Sequence, residues 1–147
     1  LQTISLNYRE TIFIPLHPRT LKKLPEMLPQ SLLNDMKINK NIIWTEPVSF
    51  FDMIKLEKSS KMIITDSGGV QKEAFFFNKP SLILRSETEW IEIVDAGCAK
   101  IVDADDQKII ENYALYATHK KLDFPEIFGN GKASEYILTK IIEHAGN

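Results

Sequence analysis

The chain has 147 residues, of which 44% are hydrophobic and 26% are charged, and we expect residues 1–147 to form a single domain. These proportions exclude a disordered or fibrous chain. The 18 basic and 20 acidic side chains leave a net charge of -2, which excludes the strongly basic surface that nucleic acid binding requires.

Five short apolar runs alternate with segments of helical periodicity. The predicted strands cover residues 11–16, 41–45, 61–65, 81–84 and 100–102. The predicted helices cover residues 18–33, 48–57, 70–77, 87–96 and 106–117, the first being interrupted at Pro25 and Pro29. Because the strands are apolar nearly throughout, we predict an α/β fold of Rossmann-like type, an open parallel sheet with helices on both faces.

The end of the chain is predicted to be a turn followed by one helix. Gly129 and Gly131 indicate the turn, and the helix covers residues 133–144 of a terminal segment, 133–147. With one cysteine, Cys98, and no apolar run near the ~20 residues of a membrane span, we expect a cytoplasmic protein without membrane contact. Because Leu1 is not preceded by a methionine or a signal peptide, we expect a longer parent polypeptide.

The turn after the third predicted strand has the features of an anion site. Ligands of open α/β sheets lie beyond the carboxyl ends of the strands, and here Ser67, Gly68 and Gly69 lead into a helix. The N–H groups of a first helical turn lack internal partners, and glycine lets a phosphate approach them. We therefore predict phosphate binding, with the Ser67 hydroxyl as a further donor. The alternative is structural: Asp66 or Ser67 caps the helix and the glycines only form the turn.

Glu73 carries a charge where its helix is otherwise apolar. At helical spacing it lies beside Val70, Ala74 and Phe77, where an unpaired carboxylate is costly. One carboxylate can accept both hydroxyls of a ribose, and Glu73 lies about one turn into the helix from the proposed phosphate site. Two interpretations remain open for Glu73: a ribose ligand, or one half of an ion pair with a lysine or arginine.

Two further side chains follow predicted strands at the same edge of the sheet. Arg85 follows the fourth strand, and it either neutralises a diphosphate or forms an ion pair with Asp66 or Glu87. His17 follows the first strand, so we predict a place for it in the same pocket. No group of His, Cys, Asp and Glu residues has metal-ligand spacing, and we predict no metal site.

Several segments occur together in one known protein family. They lie at residues 65–74, 79–80, 84–85, 88–89 and 92–97, with a histidine-containing strand end at 17–20 and a glycine-rich turn at 129–134. In these segments, which extend over most of its length, the chain closely resembles the non-hydrolysing UDP-N-acetylglucosamine 2-epimerases. The resemblance implies a two-domain architecture of the glycosyltransferase-B type, in which this chain is the carboxy-terminal, UDP-binding half.

The resemblance also implies the chemistry. Ser67, Gly68 and Gly69 would correspond to the turn that receives the diphosphate, and Glu73 to the carboxylate that holds the ribose. The implied reaction is anti elimination of UDP and its readdition with inversion at C2, which needs no nicotinamide, metal or other cofactor. The groups that move the C2 proton are expected on the amino-terminal domain, so we predict no catalytic residue in this chain. The full-length enzyme is expected to be a homodimer of cell-surface polysaccharide biosynthesis.

Two residues depart from the pattern of familiar bacterial members. Trp90 occupies the position of an arginine after Thr-Glu, and Met53, with Phe50 nearby, occupies the position of an aromatic residue over the base. These differences resemble a branch that acts on modified sugars, including UDP-diacetamido-glucuronate types. Two other functions remain open: a nucleotide-sugar-dependent glycosyltransferase, which shares the architecture, and a nucleotide-binding regulatory module.

Overall fold

The computed structural model describes residues 1–118 and 122–145, in which strands and helices alternate from the first strand onward. The strands are β1 (Ile12–Pro15), β2 (Ile42–Thr45), β3 (Ile63–Thr65), β4 (Ser81–Ile83) and β5 (Ala99–Ile101). The helices are α1 (Gln2–Tyr8), α2 (Pro18–Met27), α3 (Gln30–Ile38), α4 (Phe50–Ser59), α5 (Gly68–Phe76), α6 (Ile91–Asp95), α7 (Asp106–Thr118) and α8 (Ala133–Ala145).

All hydrogen-bonded strand pairs are parallel, as predicted. β1 pairs with β2 in a register that sets Ile12 opposite Ile42, and β4 lies between β3 and β5. The strands therefore form two hydrogen-bonded sheets, one of two strands and one of three, instead of the predicted single sheet. An ion pair of 2.8 Å joins the two sheets at one end, between Lys61 Nζ just before β3 and Glu10 Oε1 just before β1.

β4 is buried on both faces because helices cover both sides of the sheet. Leu82 lies in one apolar cluster with Ile4 of α1 and Tyr113 of α7. Side chains alternate along a strand, so the next residue, Ile83, points to the opposite face, where it lies in a cluster with Phe75 of α5. The predicted α/β sheet with helices on both faces is confirmed.

α1 is a helix that the sequence analysis does not predict. Only Ile4 and Ser5 are buried in it, so its apolar pattern is too short to indicate a helix. Packing holds α1 in place: the ring centroid of Tyr8 lies 4.8 Å from that of Tyr113 in α7. Tertiary contacts therefore stabilise this helix more than its own sequence does.

The predicted helix over residues 18–33 is two helices. Pro29 is the N-cap of α3, which confirms the interruption there. Pro25 remains inside α2, so the prediction that it also breaks the helix is wrong. Pro25 lacks the N–H that would bond the Leu21 carbonyl, yet α2 continues past it to Met27.

The end of the chain forms the predicted helix, α8. All its residues are exposed, among them Ile137, Leu138 and Ile141. Residues 146 and 147 of the predicted terminal segment lie outside the described residues. Within residues 1–118 and 122–145, no helix has both the length and the apolar character of a membrane span.

Candidate functional site

Ser67 lies where the loops after β3 and β4 meet, because the two strands are parallel neighbours. It is the N-cap of α5, and its hydroxyl oxygen accepts a hydrogen bond from the Val70 N–H at 3.5 Å. Its own N–H donates to Thr65 Oγ1 at 3.1 Å. The predicted helix cap at Ser67 is therefore present. Gly68 and Gly69, which follow Ser67, take no part in this cap.

Gly68 and Gly69 open α5, and their surroundings differ. Within the described part of the chain, neither N–H has a hydrogen-bond acceptor, as is typical of a first helical turn. A Cβ added to Gly68 would lie 3.0 Å from Glu89 Oε2, whereas one added to Gly69 would meet only Ser67 Oγ, at 3.9 Å. Gly68 is thus packed against the neighbouring loop, while Gly69 leaves the helix terminus open to solvent.

Arg85 forms an ion pair next to this turn. Its Nη1 donates to Glu89 Oε1 at 2.9 Å and to Oε2 at 3.2 Å. The predicted alternatives of a bridge to Asp66 or Glu87 are wrong, because the loop after β4 brings Glu89 back to the guanidinium four residues later. The pKa of Glu89 lies below its ordinary value. The larger cause is a hydrogen bond from the Glu89 backbone, and the second is the hydrogen bond from Arg85.

Trp90 contacts the turn directly. Its indole Nε1–H donates to the Gly68 carbonyl at 2.8 Å. The Lys72 ammonium lies 4.0 Å from the Trp90 ring centroid and 4.5 Å from the Phe128 ring centroid, within the range of cation–π attraction. Trp90 therefore holds the first residue of α5 in place from the neighbouring loop.

The loop before Trp90 is irregular, so the predicted helix start at residue 87 is wrong and α6 begins at Ile91. Thr88 Oγ1 donates to Gln71 Oε1 at 2.6 Å and accepts from the Trp90 N–H at 3.1 Å. Gln71 is fully buried, and its Nε2 has no partner within the described residues. These bonds hold the loop against α5, so its residues do not form an N-terminal extension of α6.

Glu73 of α5 faces a second carboxyl group instead of a cation. Across residues 1–118 and 122–145, no basic side chain forms an ion pair with Glu73. The neighbouring charge is Glu57 of α4, which is 3% exposed and whose carboxylate oxygens have no hydrogen-bond partner among those residues. Burial, and then the charge of Glu73, raise the pKa of Glu57 from 4.5 to about 7.

The raised pKa of Glu57 makes the stability of the fold depend on pH. Protonated Glu57 makes its full contribution to the free energy of unfolding below pH 4.5, the pKa of this group in the unfolded chain. That contribution is lost as pH rises through about 7, the pKa in the folded chain. We expect the free energy of unfolding to fall by about 1 to 3 kcal/mol between about pH 5 and about pH 8, and Glu57→Gln to remove this fall. Urea titrations at the two pH values measure it. Glu111→Gln, which changes an exposed carboxylate of α7, is the control, and an unaltered fall in Glu57→Gln would contradict the assignment.

His17 and Met53 lie apart from these contacts. His17 is the exposed N-cap of α2, and its Nδ1 accepts a hydrogen bond from the Arg19 N–H at 3.2 Å. Met53 is half-buried near the start of α4, where Phe50 is 65% exposed. No hydrogen bond or ring contact among the described residues joins either side chain to the α5 turn, so their place in the pocket stays a prediction.

The sequence of almost the whole chain matches one family model. That model is described as UDP-N-acetylglucosamine 2-epimerase, and it matches residues 1–142. The chain belongs to this family. The resemblance deduced from the sequence motifs is thereby confirmed.

Curated relatives in the epimerase family are much longer than this chain. The UDP-N-acetylglucosamine 2-epimerase of Methanocaldococcus jannaschii is 38% identical over 131 residues, which are 89% of this chain and 35% of that protein. The UDP-2,3-diacetamido-2,3-dideoxy-D-glucuronate 2-epimerase of Pseudomonas aeruginosa is 36% identical over 137 residues, 93% of this chain and 36% of that protein. The chain therefore spans about a third of the length of the curated relatives it matches.

Solved structures of the epimerase family share the fold. The M. jannaschii enzyme superposes with a TM-score of 0.83 and 36% identity, over 95% of this chain and 38% of that one. The same enzyme in complex with UDP-GlcNAc and UDP gives a TM-score of 0.79. The Neisseria meningitidis enzyme bound to UDP-GlcNAc gives 0.75 with 29% identity, over 97% of this chain and 39% of that one. These matches confirm the predicted fold class.

In this member of the epimerase family, sequence reasoning left Glu57 and the contact of Trp90 unassigned. The signal for Glu57 was available, because Glu57 is a carboxylate one turn after the apolar residues Met53 and Ile54, just as Glu73 follows an apolar stripe. The bond from Trp90 to the Gly68 carbonyl left no such signal. The two residues are 22 positions apart, and no periodicity links them.

Proposed function

We propose that this chain binds the UDP part of a UDP-sugar at the start of α5, as the carboxy-terminal domain of a non-hydrolysing UDP-N-acetylglucosamine 2-epimerase. The observation that carries the proposal is the pair of free N–H groups at Gly68 and Gly69 on an open helix terminus. Adjacent donors and the positive end of a helix dipole suit a diphosphate. The complex of the M. jannaschii relative with UDP-GlcNAc and UDP supports this class of ligand.

The side chains beside the helix terminus complete the proposed diphosphate site. The Ser67 hydroxyl uses its oxygen to cap α5, so its hydrogen remains available to a phosphate oxygen. Among the described residues, Arg85 bonds Glu89 through Nη1 alone, which leaves its other guanidinium donors for the diphosphate. The cation then offsets part of the negative charge that the ligand brings to the turn.

The nucleoside extends from the diphosphate toward α4 in this proposal. Glu73, on the side of α5 that meets Glu57, accepts the two ribose hydroxyls. Met53, near the start of α4, lies toward the uracil, and His17 approaches the same edge of the sheet from the end of β1. Parallel strands support this arrangement because all their carboxyl ends lie on one edge.

For the whole enzyme we propose epimerisation at C2 of UDP-N-acetylglucosamine or a modified UDP-N-acetylhexosamine. UDP leaves by anti elimination and adds back to the unsaturated sugar after inversion, and the groups that move the C2 proton belong to a separate amino-terminal domain. The similarity to the P. aeruginosa diacetamido-glucuronate enzyme supports including modified sugars. A homodimer in the cytoplasm, serving cell-surface polysaccharide synthesis, completes the proposal.

Binding without turnover is the expected behaviour of the purified chain. We expect calorimetry to show binding of UDP and much weaker binding of uridine, because the diphosphate is held by the backbone donors of Gly68 and Gly69. We expect NMR to show UDP-N-acetylglucosamine unchanged after incubation with the chain. Equal affinities for UDP and uridine would contradict the diphosphate site, and epimerised product would contradict the assignment of the proton-moving groups to another domain.

Gly69→Ala and Ser67→Ala are expected to separate binding from folding. A methyl group at Gly69 has room in the fold but covers the exposed amide, so we expect an unchanged melting temperature and weaker UDP binding. Ser67→Ala removes a helix cap and should cost about 0.5 to 2 kcal/mol of stability, with the smaller effect on affinity. Thermal melts and UDP titrations of both variants measure this. A loss of affinity in Gly69→Ala no larger than that in Ser67→Ala would contradict binding of the diphosphate by the backbone donors.

A further inference from the structure

Glu57 is a buried carboxyl group without a hydrogen-bond donor. It lies in α4, is 3% exposed, and neither carboxylate oxygen has a partner within the described residues. Buried polar groups are usually satisfied, and an ionised carboxylate without a donor is among the costliest groups to bury. The geometry around Glu57 therefore favours its protonated, neutral form.

The charged groups near Glu57 do not include a compensating cation. α5 packs beside α4 and presents Glu73 to Glu57. On α4 itself, Lys58 directs its ammonium over the Phe77 ring, 5.1 Å from the centroid, and Lys55 pairs with Asp52 at 3.3 Å. The neighbouring charge that acts on Glu57 is thus another acid, Glu73. A proton shared between the carboxyl groups of Glu57 and Glu73 is the remaining way to give both groups a hydrogen bond.

We propose that Glu57 is a positioning residue: it holds a proton, donates it to the Glu73 carboxylate, and thereby makes nucleotide binding at this site proton-dependent. This inference rests on the proposed function of Glu73 as the ribose ligand. A protonated Glu57 occupies one lone pair of Glu73 and leaves the others for the two ribose hydroxyls. The shared proton also fixes the carboxylate on α5 against α4, in front of the incoming ribose.

The charge of the pair determines the direction of the pH effect. With one proton the pair carries one negative charge, and without it two negative charges repel each other and the diphosphate nearby. Burial raises the pKa of Glu57 to about 7, so the change falls in the neutral range. Affinity for UDP is therefore highest below neutrality and falls as pH rises.

Calorimetric titration of UDP at about pH 6 and about pH 8.5 tests the proposal, because a group whose pKa rises by about one unit on binding changes affinity about tenfold. The phosphate of UDP also titrates, so the decisive quantity is the difference between wild type and Glu57→Gln, in which an amide N–H replaces the proton. We expect the wild type to lose about five- to tenfold more affinity than Glu57→Gln between the two pH values. Glu57→Leu has no donor at this position, so we expect it to bind UDP more weakly than Glu57→Gln at both pH values. Glu111→Gln is the control for the loss of an exposed carboxylate.

Identical pH profiles for wild type and Glu57→Gln would overturn the proposal while leaving UDP binding intact. Absence of UDP binding at any pH would instead overturn the proposed function. Carbon-13 NMR of the glutamate carboxyls in the unliganded chain tests the shared proton without nucleotide. We expect Glu57 to titrate near neutrality in the wild type and at lower pH in Glu73→Gln, and an identical Glu57 titration in both would exclude the shared proton.

Discussion

Replacing Glu73 with glutamine is expected to weaken UDP binding by about 1.5 to 3 kcal/mol, roughly tenfold to 150-fold. The change keeps the size of the side chain but removes the charge that strengthens both hydrogen bonds from the ribose. Calorimetric titration with UDP measures the loss. Uridine monophosphate should show a comparable loss, because it retains the ribose.

The same substitution is expected to leave the fold intact. Glu73 forms no ion pair within the described residues, so Glu73→Gln strands no cation, and the amide oxygen can still accept the proton of Glu57. The melting temperature without ligand should stay within a few degrees of wild type, while the upward shift caused by UDP should shrink. A large fall in the melting temperature with an undiminished UDP shift would assign Glu73 to the fold.

Replacing Leu82 with alanine is expected to destabilise the chain by about 2 to 5 kcal/mol. Leu82 is fully buried in β4, the central strand of the three-stranded sheet, and packs with Ile4 and Tyr113 from two helices. Those two helices also pack against each other, so removing Leu82 leaves a cavity that they can fill only by giving up that contact. Urea denaturation of wild type and variant measures the difference.

Leu138→Ala is the matched control for Leu82→Ala. Leu138 lies in α8 and is 58% exposed, so the same change of side chain should alter stability by less than about 0.5 kcal/mol. Similar destabilisation by both substitutions would show that α8 is packed in solution. A small effect of Leu82→Ala would contradict the burial of Leu82 between β4 and the helices α1 and α7.

The strands could be predicted because each of them is a nearly continuous apolar run, as is typical of parallel sheets covered by helices, and β4 is buried throughout. β4, for example, begins at residue 81 as predicted, while β5 covers Ala99–Ile101 instead of 100–102. The start of α6 could not be predicted. Thr88 is a common residue at a helix start, and here its hydroxyl bonds Gln71 in another helix, which only the folded chain brings near.

The position of the candidate site followed from topology, since the turn of Ser67, Gly68 and Gly69 had to lie at the carboxyl end of β3. The partners of its side chains did not follow. Arg85 pairs with Glu89 instead of Asp66 or Glu87, because the choice among nearby carboxylates depends on the path of the loop. The pairing of Glu57 with Glu73 depends in the same way on how α4 packs beside α5.

The contacts among Lys72, Trp90 and Phe128 impose a constraint on how this sequence can evolve. The ammonium of Lys72 lies against both rings, and Trp90 also bonds Gly68, so a change at one position alters what is acceptable at the others. A cation at position 90 would repel Lys72 at short range. We therefore expect positions 72 and 90 to covary among relatives, with a basic residue at 72 accompanying an aromatic one at 90 and a neutral or acidic residue at 72 accompanying arginine at 90.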